Sequence, residues 1–264
     1  MDWWVAQLLR DNPVLLVSWV VWVIGSIVLH ELAHGWAAIH EGDDTPIVTG
    51  HMTWNPVVHM GWMSLLFFAL VGLAWGMMPV NPSRFRSAHG AAKVAAAGPA
   101  MNIGLALCCI VLSAVWRGYF QWVPDPFWRN LGLFFSAGAF LNASLAVFNL
   151  LPVPPLDGSR ILSDFSTAYR RLIENPNIGP VATIILLVLM FRIGSVITGP
   201  VAGFTRDLAA RIQSVLPGAT PPARAGAAPD DVLFEFAYAG RLPATLLVLT
   251  APDPVRSPFP CKPC

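Results

Sequence analysis

Long apolar stretches alternate with polar or proline-rich connections along this chain of 264 residues. Residues 13–39, 91–116, 131–151 and 180–197 are each about as long as the roughly 20 residues that carry an α-helix across a bilayer. The stretch 62–78 is shorter, holds Gly72 and Gly76, and stops at Pro79. The pattern predicts an all-α polytopic membrane protein, a helical bundle. One helix is broken, because 131–151 runs into Pro152, Pro154 and Pro155. Residues 1–12 form an amphipathic lead-in with Trp3 and Trp4 as interface anchors. The polar segment 41–61 carries turn signals at Gly42, Pro46 and Gly50, with a short β-hairpin over 47–54 as one reading. Residues 158–175 are expected to form an amphipathic helix outside the bilayer. The chain thus divides into the lead-in (1–12), a membrane-embedded domain (13–200) and a C-terminal segment (201–264) that is largely disordered from about 217.

Composition agrees with the pattern. Hydrophobic residues make up 55% and charged residues 12%, against about a quarter charged in soluble domains. A net charge of +1 offers no electrostatic footprint for nucleic acid, and none is expected as a partner. The N-terminus lacks a basic region and a small-residue cleavage site, so the first span is expected to be retained. Cys108 and Cys109 read as small core residues, and the C-x-x-C of Cys261 and Cys264 as part of an unstructured tail.

Chemistry enters inside the first span. His30, Glu31 and His34 form H-E-x-x-H, and positions i and i+4 share one helix face, so both imidazoles can address one point. With 6 His in the chain, the pattern is expected by chance only about 0.002 times. Ionisable groups at membrane depth are costly and usually functional. Two histidines fix a metal and an adjacent carboxylate takes a proton from water, as in zinc proteases. A catalytic zinc site takes three protein ligands. The candidates for the third are His40, His51, His59, His89, Glu41 and Asp157. Asp157 stands out because it follows a broken span, and irregular backbone at membrane depth must face protein or a wet cavity. Its alternative role is to cap the following helix.

Two of these segments together, His30-Glu31-Leu32-Ala33-His34-Gly35 and the run from Asn149 through Pro152, Pro154 and Pro155 to Asp157-Gly158, resemble the paired signature of the site-2 protease family of intramembrane zinc metalloproteases. Ala97-Gly98-Pro99, with Asn102, resembles the short motif that this family carries on the span between them. Residues 50–80, with Asn55-Pro56 and His59, resemble its compact prokaryotic branch without a PDZ domain. The likeness covers about residues 13–200.

The resemblance implies one Zn2+ per chain held by His30, His34 and Asp157, with Glu31 as general base and Asn149 near the scissile carbonyl. An amide there could stabilise an oxyanion; a helix–helix hydrogen bond is the alternative. It implies a transmembrane protein substrate in the lipid bilayer, a regulatory membrane protein as a further partner, and a multi-pass cell-membrane location with the site nearer the cytoplasmic face. It also runs the Asp157-bearing span parallel to the His30-bearing one, so 62–78 is expected to be re-entrant or to lie against the bundle and not to cross fully. Two other functions are consistent with the fold: a catalytically silent protein that binds other transmembrane segments, and a metal transporter. The absence of an internal repeat speaks against the transporter.

Overall fold

The computed structural model describes residues 3–175 and 177–220. The tail beyond 220, with Cys261 and Cys264, lies outside them. All regular elements among the described residues are helical. The lead-in is α1 (Trp4–Asp11), in which Trp4 packs on Phe68 and Trp3 Nε1 donates to Ala69 O at 2.9 Å. Asn12 then caps α2 (Pro13–His40), its side chain accepting from Leu15 N, with Pro13 preset for the first helical position. At 1.5 Å per residue this 28-residue helix is about 42 Å long, more than a bilayer's hydrocarbon thickness.

Beyond α2 the chain forms a short helix, α3 (Thr45–Val48), and not the hairpin expected over 47–54. The residues explain the difference. Asp43 Oδ1 accepts from Thr45 N, Pro46 sits in the first turn, and Gly50 leaves that turn at φ +72°. A strand has no room between these signals.

Next comes α4 (Pro56–Val71), bent at Gly61 (φ +67°) and closed by Gly72 in the left-handed conformation. The chain then doubles back. Ser64 Oγ donates to Trp75 O and accepts from Trp75 N, and Met77 N donates to His59 O at 2.9 Å. The return arm ends where α2 ended: Asn81 N donates to Asp43 Oδ2 at 2.6 Å and Arg86 N to Glu41 O at 2.9 Å. The segment therefore enters and leaves at one end of the bundle.

From that same end α5 (Gly90–Tyr119) runs back along α2, and α6 (Phe127–Asn149) returns beside both. These three helices, α2, α5 and α6, are each long and apolar enough to cross a membrane. After the irregular turn 150–156 come α7 (Asp157–Phe165) and α8 (Thr167–Ile173). The single helix expected over 158–175 is split because Ser166 is extended and its side chain caps Tyr169 N. The long α9 (Ile178–Val215) packs on α5 and α6. Its end is tied down: Thr220 N donates to Gly118 O at 3.0 Å and Tyr119 Oη to Pro217 O at 2.7 Å.

The core joins α2 and α6 through Trp19, Ile27, Phe140, Leu141, Leu145 and Phe148, all fully buried. Small residues set the spacing. Gly138 lies under the Trp22 indole, whose Nε1 donates to Phe134 O at 2.8 Å.

Candidate metal centre

Two helices supply the centre. His30, Glu31 and His34 lie on the buried face of α2, and Asp157 is the first residue of α7. Pro152, Pro154 and Pro155 prevent α6 from continuing, so the chain turns through 150–156 and restarts with its carboxylate aimed inward. Leu156 occupies the cap position of α7 and no side chain caps that helix, which leaves Asp157 to its other role. Gly158 packs against the Leu150 and Leu151 carbonyls, where a Cβ would collide.

The convergence is tight. His30 Nε2 and His34 Nε2 are 3.0 Å apart, and Asp157 Oδ2 lies 3.1 Å from the first and 3.4 Å from the second. All three residues are buried. The outer nitrogens are engaged: His30 Nδ1 donates to Asn102 Oδ1 at 2.5 Å and His34 Nδ1 to Val94 O at 2.7 Å. In a neutral imidazole only one nitrogen carries a proton. With Nδ1–H committed outward, both Nε2 atoms present lone pairs to each other and to a carboxylate oxygen. Three lone pairs facing one another repel unless a cation lies among them, and two nitrogens plus one oxygen are a donor set that suits zinc. The ligand atoms of His30, His34 and Asp157 lie within 4.8 Å of one another and could hold one metal ion.

The fourth wall is α5. Gly98 lies flat against both imidazoles, and Pro99 lacks the N–H that would bond the Ala95 carbonyl. Val94, in the same turn, gives its carbonyl to His34. Asn102 follows one turn later.

Glu31 is fully buried, and neither of its oxygens has a hydrogen-bond partner among the described residues. Gly76 of the return arm packs against it, so the re-entrant segment roofs the site. A cavity of about 250 Å³ opens beside it, lined by Glu31, His34, Asp157, Met78, Val80 and Arg160 among others. Apolar walls with a few convergent polar groups are typical of a binding cleft.

The other candidates fall elsewhere. His40 is exposed, His51 contacts Thr49, His89 pairs with Asp164, and His59 Nε2 donates to Thr53 O. Glu41 binds Lys93 and Ser87. Asn149 is buried at the end of α6 and is not among the described residues lining the cavity. Its Nδ2 donates to Leu145 O within its own helix, and its Oδ1 has no partner among the described residues. Arg160 also lines the cavity, and its place one helical turn after Asp157 is the sequence signal that points to it.

Known proteins can be compared with this geometry. The model of peptidase family M50 matches residues 128–193, which hold Asn149 and Asp157. A Bacillus subtilis protein named "Putative zinc metalloprotease YwhC" is 32% identical over 220 residues, 82% of this chain and 98% of the relative.

The chain belongs to peptidase family M50, the site-2 protease family.

It is therefore a membrane metallopeptidase. "Putative zinc metalloprotease Rip2" of Mycobacterium tuberculosis is 31% identical over 152 residues, 54% of each chain. Its namesake in Mycolicibacterium smegmatis is 30% identical over 150 residues, again 54% of each. No solved structure matches the chain. The described residues contain no strand, hence no PDZ-type β-domain among them.

Proposed function

We propose that this M50 peptidase is an intramembrane zinc endopeptidase. It hydrolyses a peptide bond within or near the transmembrane segment of a membrane-protein substrate. His30, His34 and Asp157 hold the ion, Glu31 is the general base and Asn149 lies near the scissile carbonyl. The observation that carries this reading is the unpartnered Glu31 carboxylate beside three converging lone-pair donors.

Zinc, when bound, supplies a Lewis acid that makes water acidic enough to ionise near neutral pH and polarises the carbonyl. The protein does the rest. Glu31 accepts the proton from the attacking water and returns it to the leaving amine. Its burial and lack of a competing partner keep it available for both transfers. Asn149 has one N–H and an unpartnered Oδ1 left after bonding Leu145, enough to hold one peptide unit by both its polar groups. The return arm offers a backbone edge on which an unwound substrate strand can pair.

The depth of the site supports cleavage inside the bilayer. His30 lies about 26 Å along α2 from Pro13, within the roughly 30 Å of hydrocarbon that such a helix crosses. The orientation we favour puts the metal end of the bundle toward the cytoplasm and leaves a regulatory membrane protein as a further partner. The test is zinc content together with cleavage of a synthetic transmembrane substrate in detergent or liposomes. The parent should hold one zinc and cleave, and Asp157→Ala should lose both. An Asp157→Ala protein that keeps parent zinc and activity would remove Asp157 from the site.

A further inference from the structure

Behind His30 the hydrogen bonds continue away from the centre and through two more buried side chains. Asn102 Nδ2 donates to Asn142 Oδ1 at 3.0 Å, and Asn142 Nδ2 donates to Gly138 O at 3.0 Å. Asn102 and Asn142 are fully buried, on α5 and α6 respectively. The chain of contacts is thus His30, Asn102, Asn142, Gly138, and it crosses three helices.

Its polarity is fixed from the far end. A main-chain carbonyl only accepts, so Asn142 must turn its nitrogen toward Gly138 and its oxygen toward Asn102. Asn102 must then offer its nitrogen to Asn142, which leaves its oxygen for His30. Facing an oxygen, His30 must carry its proton on Nδ1, and its Nε2 is left with a lone pair. A side-chain amide can otherwise rotate by half a turn at little cost, and a rotated Asn102 would face Nδ1 with N–H. His30 would then move its proton to Nε2, where it blocks metal binding. We infer that Asn142 is a positioning residue for the metal centre: through Asn102 it sets the tautomer of His30 that can bind a cation. This rests on His30 being a metal ligand. It assigns a role to an asparagine that lies outside every motif in the sequence.

A packing role alone and a directional role differ in how they can be repaired. Replacing Asn142 by Leu keeps its approximate shape but frees the Asn102 amide to rotate. Adding Asn102→Asp puts a carboxylate behind His30, which accepts whichever way it turns. The experiment uses the full chain in detergent micelles, stripped of zinc and labelled with 15N-histidine; 6 histidines give a tractable spectrum. Zinc affinity is measured on the same samples with a competing chelator.

In the parent, His30 should be the Nδ1–H tautomer. In Asn142→Leu it should become a mixture, with zinc affinity lower by about 10–100-fold, the usual effect of losing an outer hydrogen-bond partner. The double variant Asn102→Asp/Asn142→Leu should recover both readings. Parent-like tautomer and affinity in folded Asn142→Leu would overturn the inference, as would a folded double variant that recovers neither. If Asn142→Leu does not fold, Asn142→Ala and its Asn102→Asp double variant carry the same comparison. Asp157→Ala separates the two levels. Unchanged zinc affinity there removes Asp157 from the ligand set on which the proposed function stands, whereas a loss there with an unaffected Asn142→Leu removes only the relay.

Discussion

Gly98 of α5 lies so close to His30 that a Cβ at this position would collide with Nε2, and it stands in the same relation to His34. The opposing ring atoms belong to buried side chains pinned by Asn102 and Val94, so they cannot swing aside freely. Gly98→Ala should therefore displace the imidazoles or push α5 from α2, costing about 1–3 kcal/mol as overpacking does. Zinc per chain should fall well below that of the parent. Gly104, further along α5, has open space around it, and Gly104→Ala is the control that should keep both zinc and stability.

Glu31 separates chemistry from binding. Its carboxylate makes no hydrogen bond to the metal-ligand cluster, so Glu31→Gln should leave zinc content at the parent level. Cleavage of a transmembrane substrate should drop by about 10²–10⁴-fold, the usual contribution of a general base. Zinc analysis and a gel-based cleavage assay on one preparation check both halves. Parent-like cleavage would take the proton-transfer role away from this residue.

How much of this was legible beforehand follows from the range of each interaction. His30, Glu31 and His34 are one helical turn apart, so a local period predicts that they meet. Asp157 was visible only as one candidate among six, because its approach depends on where α6 ends and how 150–156 turns. The path of 62–78 followed from the parallel arrangement that the family likeness requires, and the Ser64–Trp75 and Met77–His59 contacts bear it out. The hairpin over 47–54 failed because Asp43 and Pro46 nucleate a helical turn that alternation alone does not register. Asn142 carried no signal. An asparagine inside an apolar helix has many uses, and only the three-dimensional packing of α5 on α6 puts it behind Asn102.

Glu41 gives a pH dependence whose sign can be worked out. It follows the last residue of α2, and Ser87, by side chain and backbone N–H, together with Lys93, brings its carboxyl from the ordinary 4.5 down to about 2. A carboxyl with a depressed folded-state value stabilises the fold above its unfolded value and loses that contribution as the pH falls through the folded one. The contact pins the re-entry of the return arm to the end of α2. Glu41→Gln should therefore melt below the parent at neutral pH. The gap should narrow between about pH 4.5 and pH 2. Parallel thermal melts in detergent across that range check it, and a gap independent of pH would mean that packing, not charge, is lost.

The same latch fixes a topology that can be read from outside the protein. Thr49 and Ser83 are exposed, and the segments that carry them flank the re-entrant stretch at one end of the bundle, where Glu41 meets Arg86 N. Gln121 is exposed just past the far end of α5, a 30-residue helix that crosses from that end to the other. In a cysteine-free background, Thr49→Cys and Ser83→Cys should react with a membrane-impermeant maleimide from one face, and Gln121→Cys from the opposite face. If 62–78 crossed the bilayer, positions 49 and 83 would label from different faces and α6 would run antiparallel to α2. Asp157 would then emerge on the far side from His30, about a bilayer thickness away. Three labelling reactions on intact and inside-out vesicles therefore test the geometric requirement on which the shared metal site depends.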